Sequence, residues 1–251
     1  MAFSKTVEKT LRILELISNS PDGITLSNIY KTLDLPKATV YDILQTLYKE
    51  DAIYYKDQNL KTYVIGSKIF AISQAYTKNS HLINFSREKL KELSDKYGLT
   101  CFANKRIENR SVIIHKYEPK NVKITTSDVG SSFSLTSNVV GKTFIAYMEP
   151  NKIEKIIASC DNKESLQKEL MDIRKNKFAI DNGLEKSYMC SYAVPVYNFE
   201  NKVVGVLSAS RVIENETEED IKEQIIELIE VARYVSIKQG YKGDFYESIK
   251  F

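Results

Sequence analysis

Histidine and cysteine are scarce in this chain, and the scarcity narrows its chemistry before any motif is read. Two histidines, His81 and His115, and three cysteines, Cys101, Cys160 and Cys190, occur in 251 residues. The cysteines are odd in number, widely spaced and without a CxxC pair, which argues against a disulfide framework and for a reducing compartment. With so few imidazole and thiol ligands, no metal centre and no cofactor are expected. HExxH, GxSxG, P-loop and GxGxxG patterns are absent. A catalytic reading has to bring Cys190 and His115 together from distant positions, so no enzyme is expected. No apolar run approaches the roughly 20 residues that span a bilayer. The opening MAFSKTVEKTL lacks the apolar core of a signal peptide, so the expectation is a cytoplasmic protein without membrane contact. A basic footprint is missing too: the net charge is +3, and eight Lys/Arg meet eight Asp/Glu in the first 66 residues. That disfavours tight nonspecific nucleic-acid binding, although counterion release follows the phosphates contacted rather than net charge. The length suits one large or two modest domains, and 43% hydrophobic with 27% charged residues is a globular balance.

What is present is most informative over residues 25–49, TLSNIYKTLDLPKATVYDILQTLYK. Leu26, Ile29, Tyr30 and Leu33 fall at i, i+3, i+4, i+7 on one helical face, with Thr25 placed to cap the helix. After Asp34-Leu35-Pro36, with Pro36 suited to open a helix, Val40, Ile43, Leu44 and Leu47 repeat the spacing. The opposite face carries Ala38, Tyr41, Asp42, Gln45 and Lys49, with Lys37 and Thr39 in its first turn. Upstream, Val7, Leu11, Leu14 and Ile17 predict a third amphipathic helix that closes the core. Downstream, residues 52–56 and 61–65 predict a hairpin around Asp57-Gln58-Asn59. Three helices and a hairpin read as a winged helix-turn-helix, whose second helix enters the major groove of a double-stranded DNA operator. Tyr41 and Gln45 are candidates for base contact, and Lys37, Lys49 and the wing residues Lys56 and Lys61 for phosphate. Thr25, Ala38, Thr39 and Asp42 complete the candidate surface.

The winged domain is expected over residues 1–65, followed by a linker helix over 66–80 with Ile69, Phe70, Ile72, Ser73 and Tyr76 as its apolar stripe. A second domain over 81–238 opens with a helix at 82–96 bearing Ile83, Leu90 and Leu93. Strands are predicted at 100–105, 111–117, 123–127, 178–180, 190–197 and 203–211, and helices at 139–147, 151–159, 165–175 and 218–238. The last helix presents Ile221, Ile225, Leu228, Ala232 and Val235 on one face, and residues 239–251 form a tail without a clear pattern.

Several segments, in this order, resemble the IclR family of bacterial transcriptional regulators across about residues 4–238. SKTVEKTLRILELI is similar to that family's first helix, LPKATVYDILQTL to its recognition helix and KTYVIGSKIFAIS to its wing and linker. SLTSNVVGKTFIAYM resembles its ligand-loop segment, with Gly141-Lys142 matching, and IRKNKFAIDNGLEKSYMCSYAVPVYNFENKVVGVLSAS its C-terminal signature. The resemblance implies an α+β chain: a winged helix-turn-helix, a linker helix and a GAF-like effector domain with a central antiparallel sheet. It also implies homodimers or homotetramers on palindromic operators, repression or activation, and a small organic or aromatic acid as effector. Carried over by position, the effector pocket comprises Ser137, Asn138, Val139, Val140, Asp181, Cys190, Ser208 and Ser210. Backbone N–H groups opening the helix at Val139 offer an anion site. Ser208 and Ser210 alternate to one face of a strand and can both donate. The chain departs from the family at Val139-Val140, where branched side chains are expected to narrow the pocket. That departure motivates an alternative, a ligand-independent regulator whose second domain only oligomerises. Asp42 stands where the family often has Arg, and an aspartate there can accept from cytosine N4.

Overall fold

The N-terminal spacing folds as short helices against a small sheet: α1 (Lys5–Ser18), β1 (Ile24–Thr25), α2 (Leu26–Leu33), α3 (Lys37–Lys49), β2 (Ile53–Asp57), β3 (Thr62–Ile65) and α4 (Ser67–Asn79). A computed structural model describes residues 4–120, 127–183, 188–213, 217–247 and 249, and divides the chain into two units, Met1–Asn79 and Ser80–Phe251. No helix among the described residues is long and apolar enough to cross a membrane.

In the first unit β1, β3 and β2 form an antiparallel sheet in that order, with Ile24 opposite Tyr63 and Tyr54 opposite Val64. Ile13, Ile17, Ile29, Val40, Ile43, Leu44, Ile53 and Tyr63 make the core, which is the winged helix-turn-helix arrangement. Local chemistry sets the boundaries. Ser4 accepts from the Val7 N–H at 3.4 Å and Thr25 from the Asn28 N–H at 3.3 Å, each satisfying a first-turn donor. Asp34 ends α2 in the left-handed region at φ 51°, which turns the chain sharply into Pro36 and α3. Gly66 closes the wing, where a Cβ would stand 2.2 Å from the Asp51 carbonyl oxygen.

Two apolar stripes differ from their sequence reading. On α1 the core face is Ile13 and Ile17, whereas Val7 and Leu11 are exposed by 57% and 62%. The helix is apolar around much of its circumference, so the predicted stripe holds at Leu14 and Ile17, which pack on the core, and fails at Val7 and Leu11. On α4, Phe70 and Ile72 are exposed as well.

The second unit is a six-stranded antiparallel sheet between helices. Its elements are α5 (His81–Tyr97), β4 (Thr100–Ile107), β5 (Arg110–Tyr117), β6 (Ser132–Ser134), α6 (Val139–Ala146), α7 (Pro150–Ala158), α8 (Lys163–Asn176), β7 (Ala179–Asn182), β8 (Met189–Tyr197), β9 (Val203–Val212) and α9 (Glu218–Lys238). The strand order is β6-β5-β4-β9-β8-β7. Alternation along each strand builds two separate cores. Cys190, Tyr192, Val194 and Val196 on β8, with Leu207 and Ala209 on β9, face α5 and α9. Ala193 and Val206 face α6 and α8. Thr217 and Asp220 cap α9 reciprocally, so the acidic first turn carries a capping box. The strand predicted at 123–127 falls, apart from Ser127, outside the described residues, and β6 was not anticipated.

The tail is ordered by aromatic contacts that periodicity does not register. Tyr241 and Tyr246 are buried, the Tyr241 ring stacks on Tyr197 at 5.1 Å, and the Tyr246 hydroxyl donates to the Pro195 carbonyl at 2.6 Å.

Candidate functional site

The outer face of α3 is a continuous polar surface. Lys37, Ala38, Tyr41, Asp42, Gln45 and Lys49 are all exposed. At about 100° per residue they fall within roughly 140° of arc, while Val40, Ile43 and Leu44 on the other side are buried. Thr39 is half-buried at the edge of that arc. A tyrosine stack ties the helix to the wing: Tyr48 lies on Tyr55 at 5.0 Å and Tyr55 on Tyr63 at 4.8 Å, with 3.1 Å between the Tyr55 and Tyr63 hydroxyls. Burial first, then the hydrogen bond with Tyr55, pushes the Tyr63 phenol up, so it stays protonated. The remaining candidates are placed differently. Thr25 uses its hydroxyl oxygen as the α2 cap. Lys61 is exposed at the wing turn with φ 48°. The Lys56 ammonium donates to the Pro21 carbonyl at 2.9 Å and pairs with Asp22 at 3.3 Å. Both partners of that pair are exposed, so phosphate can displace it at little cost.

The second unit contains a cavity of about 400 Å³ between the start of α6 and one face of the sheet. Asn138 fixes its rim by accepting the Gly141 N–H at 3.0 Å, as the N-cap of α6. Gly141 lets α6 approach so closely that a Cβ there would lie 2.2 Å from the Leu135 carbonyl oxygen. Ser137, Asn138, Val139 and Val140 from the α6 entry, Asp181 from β7, and Ser208 and Ser210 from β9 line this one cavity. Val139 and Val140 are buried in its wall without filling it.

Cys190 is a correction. It faces the α5 and α9 side, is 1% exposed, and its thiol donates to Asn182 Oδ1 at 3.2 Å. One residue along the strand reverses the face, so Ser191, paired with Asp181 and Ser210 in register, takes the cavity position. The carried-over motif was therefore one residue off on β8. The sheet also separates Cys190 from His115, which lie on β8 and β5 with β9 and β4 between. At about 4.8 Å per strand that is at least about 14 Å, too far for a nucleophile pair. His115 is half-buried, and burial first, then the Arg87 charge, holds its imidazole below the ordinary value of 6.5.

Sequence reasoning missed the far wall, made by Phe102 and Asn104 on β4, Ser111 and Ile113 on β5, and Phe133 on β6. Asn104 Nδ2 donates to Ser208 Oγ at 2.9 Å and to the Val206 carbonyl at 3.2 Å. The signal for the two β4 residues is the register of β4 on β9, with Phe102 opposite Ser208 and Asn104 opposite Val206. That pairing joins segments about a hundred residues apart, so local spacing does not contain it.

Comparison with known proteins agrees in both units. The model of the IclR helix-turn-helix domain matches residues 6–57, and that of the bacterial transcriptional regulator IclR C-terminal region matches residues 74–237. The HTH-type transcriptional regulator XynR of Escherichia coli (strain K12) is 26% identical over 220 residues, covering 84% of this chain and 87% of XynR. KdgR of the same strain, also an HTH-type transcriptional regulator, is 24% identical over 246 residues, covering 94% and 93%. An IclR transcriptional regulator structure from Alicyclobacillus acidocaldarius superposes with a TM-score of 0.85 at 24% identity, over 95% of this chain and 100% of that one. An IclR homolog from Microbacterium hydrocarbonoxydans, crystallised with 4-hydroxybenzoate, superposes with a TM-score of 0.79 at 14% identity, over 94% and 99%.

Proposed function

The chain belongs to the IclR family of bacterial transcriptional regulators, and from that premise we propose that it binds an operator through α3 and the wing under the control of a small organic acid. The observation that carries the effector reading is the cavity itself. Segments from the α6 entry, β7 and β9 converge on about 400 Å³ of space within reach of the first-turn N–H groups of α6. An acid carboxylate binds those N–H groups, and the serines of β9 donate to its other polar atoms. The 4-hydroxybenzoate held by the Microbacterium homolog supports an acid of this size.

On DNA, Tyr41 and Gln45 read base edges, with Asp42 accepting from a cytosine, while Lys37, Lys49, Lys56 and Lys61 hold phosphates and Thr25 and Thr39 flank them. Exposed Val7 and Leu11 on α1, and Phe70 and Ile72 on α4, are apolar surface that a second copy of the first unit would cover. A dimer of this kind sets two half-sites about one helical turn, or a multiple of it, apart. The ligand-independent alternative rested on Val139 and Val140 closing the pocket, and the open cavity beside them favours the effector reading.

The test is pull-down of sequenced genomic fragments by the purified chain, with and without small-molecule cell extract. A palindromic motif whose enrichment changes with extract is the expected result. A motif indifferent to extract would leave the regulator and remove the effector. No motif in either condition, from folded protein, would remove the operator as well.

A further inference from the structure

Tyrosine is plentiful in this chain, with 16 residues and no tryptophan, and four of the sixteen gather where α3 meets the wing. Tyr41 and Tyr48 are seven residues apart, two turns of α3, so both leave the helix on the same side. Tyr48 lies on Tyr55 of β2 at 5.0 Å, and Tyr55 on Tyr63 of β3 at 4.8 Å. Tyr41 is near enough to the Tyr63 phenol to act on it electrostatically. The Tyr55 and Tyr63 hydroxyls carry two protons and share one hydrogen bond of 3.1 Å. Tyr63 is 3% exposed, and among the described residues its hydroxyl has Tyr55 as its one partner. A buried donor left unpaired is costly, so Tyr63 gives its proton to the Tyr55 oxygen. Tyr55 is only half-buried, and its own proton then has no acceptor among the described residues.

With α3 in the major groove and the wing over the minor groove beside it, one sugar-phosphate strand separates the two grooves and runs between helix and wing. We propose that the Tyr55 hydroxyl donates to a phosphate of that strand, a contact that rests on the operator reading above. Phosphate oxygens only accept, so they suit the one phenol of the pair whose proton is unclaimed. Tyr63 is then a positioning residue, because its donation directs the Tyr55 proton to an acceptor outside the stack. A lysine on phosphate releases counterions, whereas a phenol carries no charge and releases none. The contact therefore adds affinity that salt does not remove, in a unit whose first 66 residues carry eight Lys/Arg against eight Asp/Glu.

The intact chain is titrated onto a labelled duplex carrying the motif recovered by genomic pull-down, with affinity read by fluorescence anisotropy over a range of salt. Tyr55→Phe should weaken binding about ten-fold per half-site, for all operator variants alike, and leave the slope of log affinity against log salt unchanged. Tyr63→Phe keeps the Tyr55 hydroxyl and should lose much less. Replacing both by phenylalanine removes donor and acceptor together, so the stack keeps its stability while the loss seen with Tyr55→Phe remains. Neutral methylphosphonate, placed at each backbone position in turn, should reveal one site where wild type loses about ten-fold more than Tyr55→Phe does. Equal losses from Tyr55→Phe and Tyr63→Phe would reduce the pair to a brace between helix and wing and overturn the contact. Wild-type affinity in Tyr55→Phe, a changed salt slope, or a loss confined to particular base pairs would overturn it as well, while sparing the operator. A pull-down without a motif would overturn the operator reading itself.

Discussion

The outer face of α3 and the cavity beneath α6 are both polar surfaces, but their side chains have opposite relations to the fold. On α3, Lys37, Tyr41, Gln45 and Lys49 project into solvent from a helix whose other side already holds Val40, Ile43 and Leu44. Removing any of them leaves the core untouched. In the cavity, Ser208, Ser210 and Asp181 are buried with the sheet, and Asn104 is committed to Ser208 and Val206. A surface carried on one helix can therefore change its recognition without changing stability, whereas in the cavity a substitution at Asn104 or Ser208, which are bonded to each other, changes both. Substitutions that touch one side of this contrast at a time are its tests.

The largest effect is expected beneath the helix face. Leu44 is fully buried, and Leu44→Ala should cost about 2–5 kcal/mol, read as a lower denaturation midpoint of the first unit. Operator binding should fall with it. An unchanged midpoint would mean that α3 does not depend on this core.

In the second unit, Tyr246→Phe removes a hydroxyl that donates to the Pro195 carbonyl at 2.6 Å and lies 2.7 Å from Ser236 Oγ. The expected loss is about 1–3 kcal/mol by chemical denaturation, since the Pro195 carbonyl is left unsatisfied in a buried place. A neutral result would show the tail to be an addition to the unit rather than part of its core.

The exposed face should behave in the opposite manner. Tyr41→Ala with Gln45→Ala should leave melting within about 0.5 kcal/mol of wild type. Operator discrimination should fall by about 1–3 kcal/mol for each base edge no longer read, measured against single-base operator variants. Lys37→Ala should weaken all sequences alike and reduce the salt dependence by about one counterion. If both variants keep wild-type affinity and selectivity, α3 is not the reading element.

The same contrast explains what was legible beforehand. The helix-turn-helix was readable because its signals are local: Thr25 caps α2, Pro36 precedes α3, and buried Ile29, Val40, Ile43 and Leu44 recur at helical spacing. The α1 core face was legible only in part: Leu14 and Ile17 pack on the core, but Leu11 and Ile13 are equally apolar and tertiary packing alone chose between them. For the cavity, resemblance supplied the α6 entry and Asp181, Ser208 and Ser210 as residues that do converge. It misassigned Cys190, because a shift of one residue on a strand exchanges faces and no local pattern marks which is which. Asn104 depends on β4 pairing with β9 across the sheet, and Tyr246 on an aromatic cluster; neither leaves a periodic trace.

The smallest expected effect concerns His115, which lies on the core face of β5 rather than in either polar surface. Its imidazole is held below 6.5 by burial and by Arg87, so the folded chain binds its proton less readily than the unfolded chain does. Between 6.5 and the lower folded value the unfolded state carries the extra proton, and stability rises with pH there. The contribution is fully present above 6.5 and is lost as pH falls through the folded value. Its Nε2 is buried without a hydrogen-bond partner among the described residues, so the neutral ring is kept by exclusion of water rather than by a bond that another residue would have to replace. His115→Phe should accordingly flatten the slope of stability against pH just below 6.5 while changing little at pH 8. Urea melts at several pH values measure this directly. A slope that survives the substitution would assign the titration to another group, and a steeper one would contradict the direction of the shift.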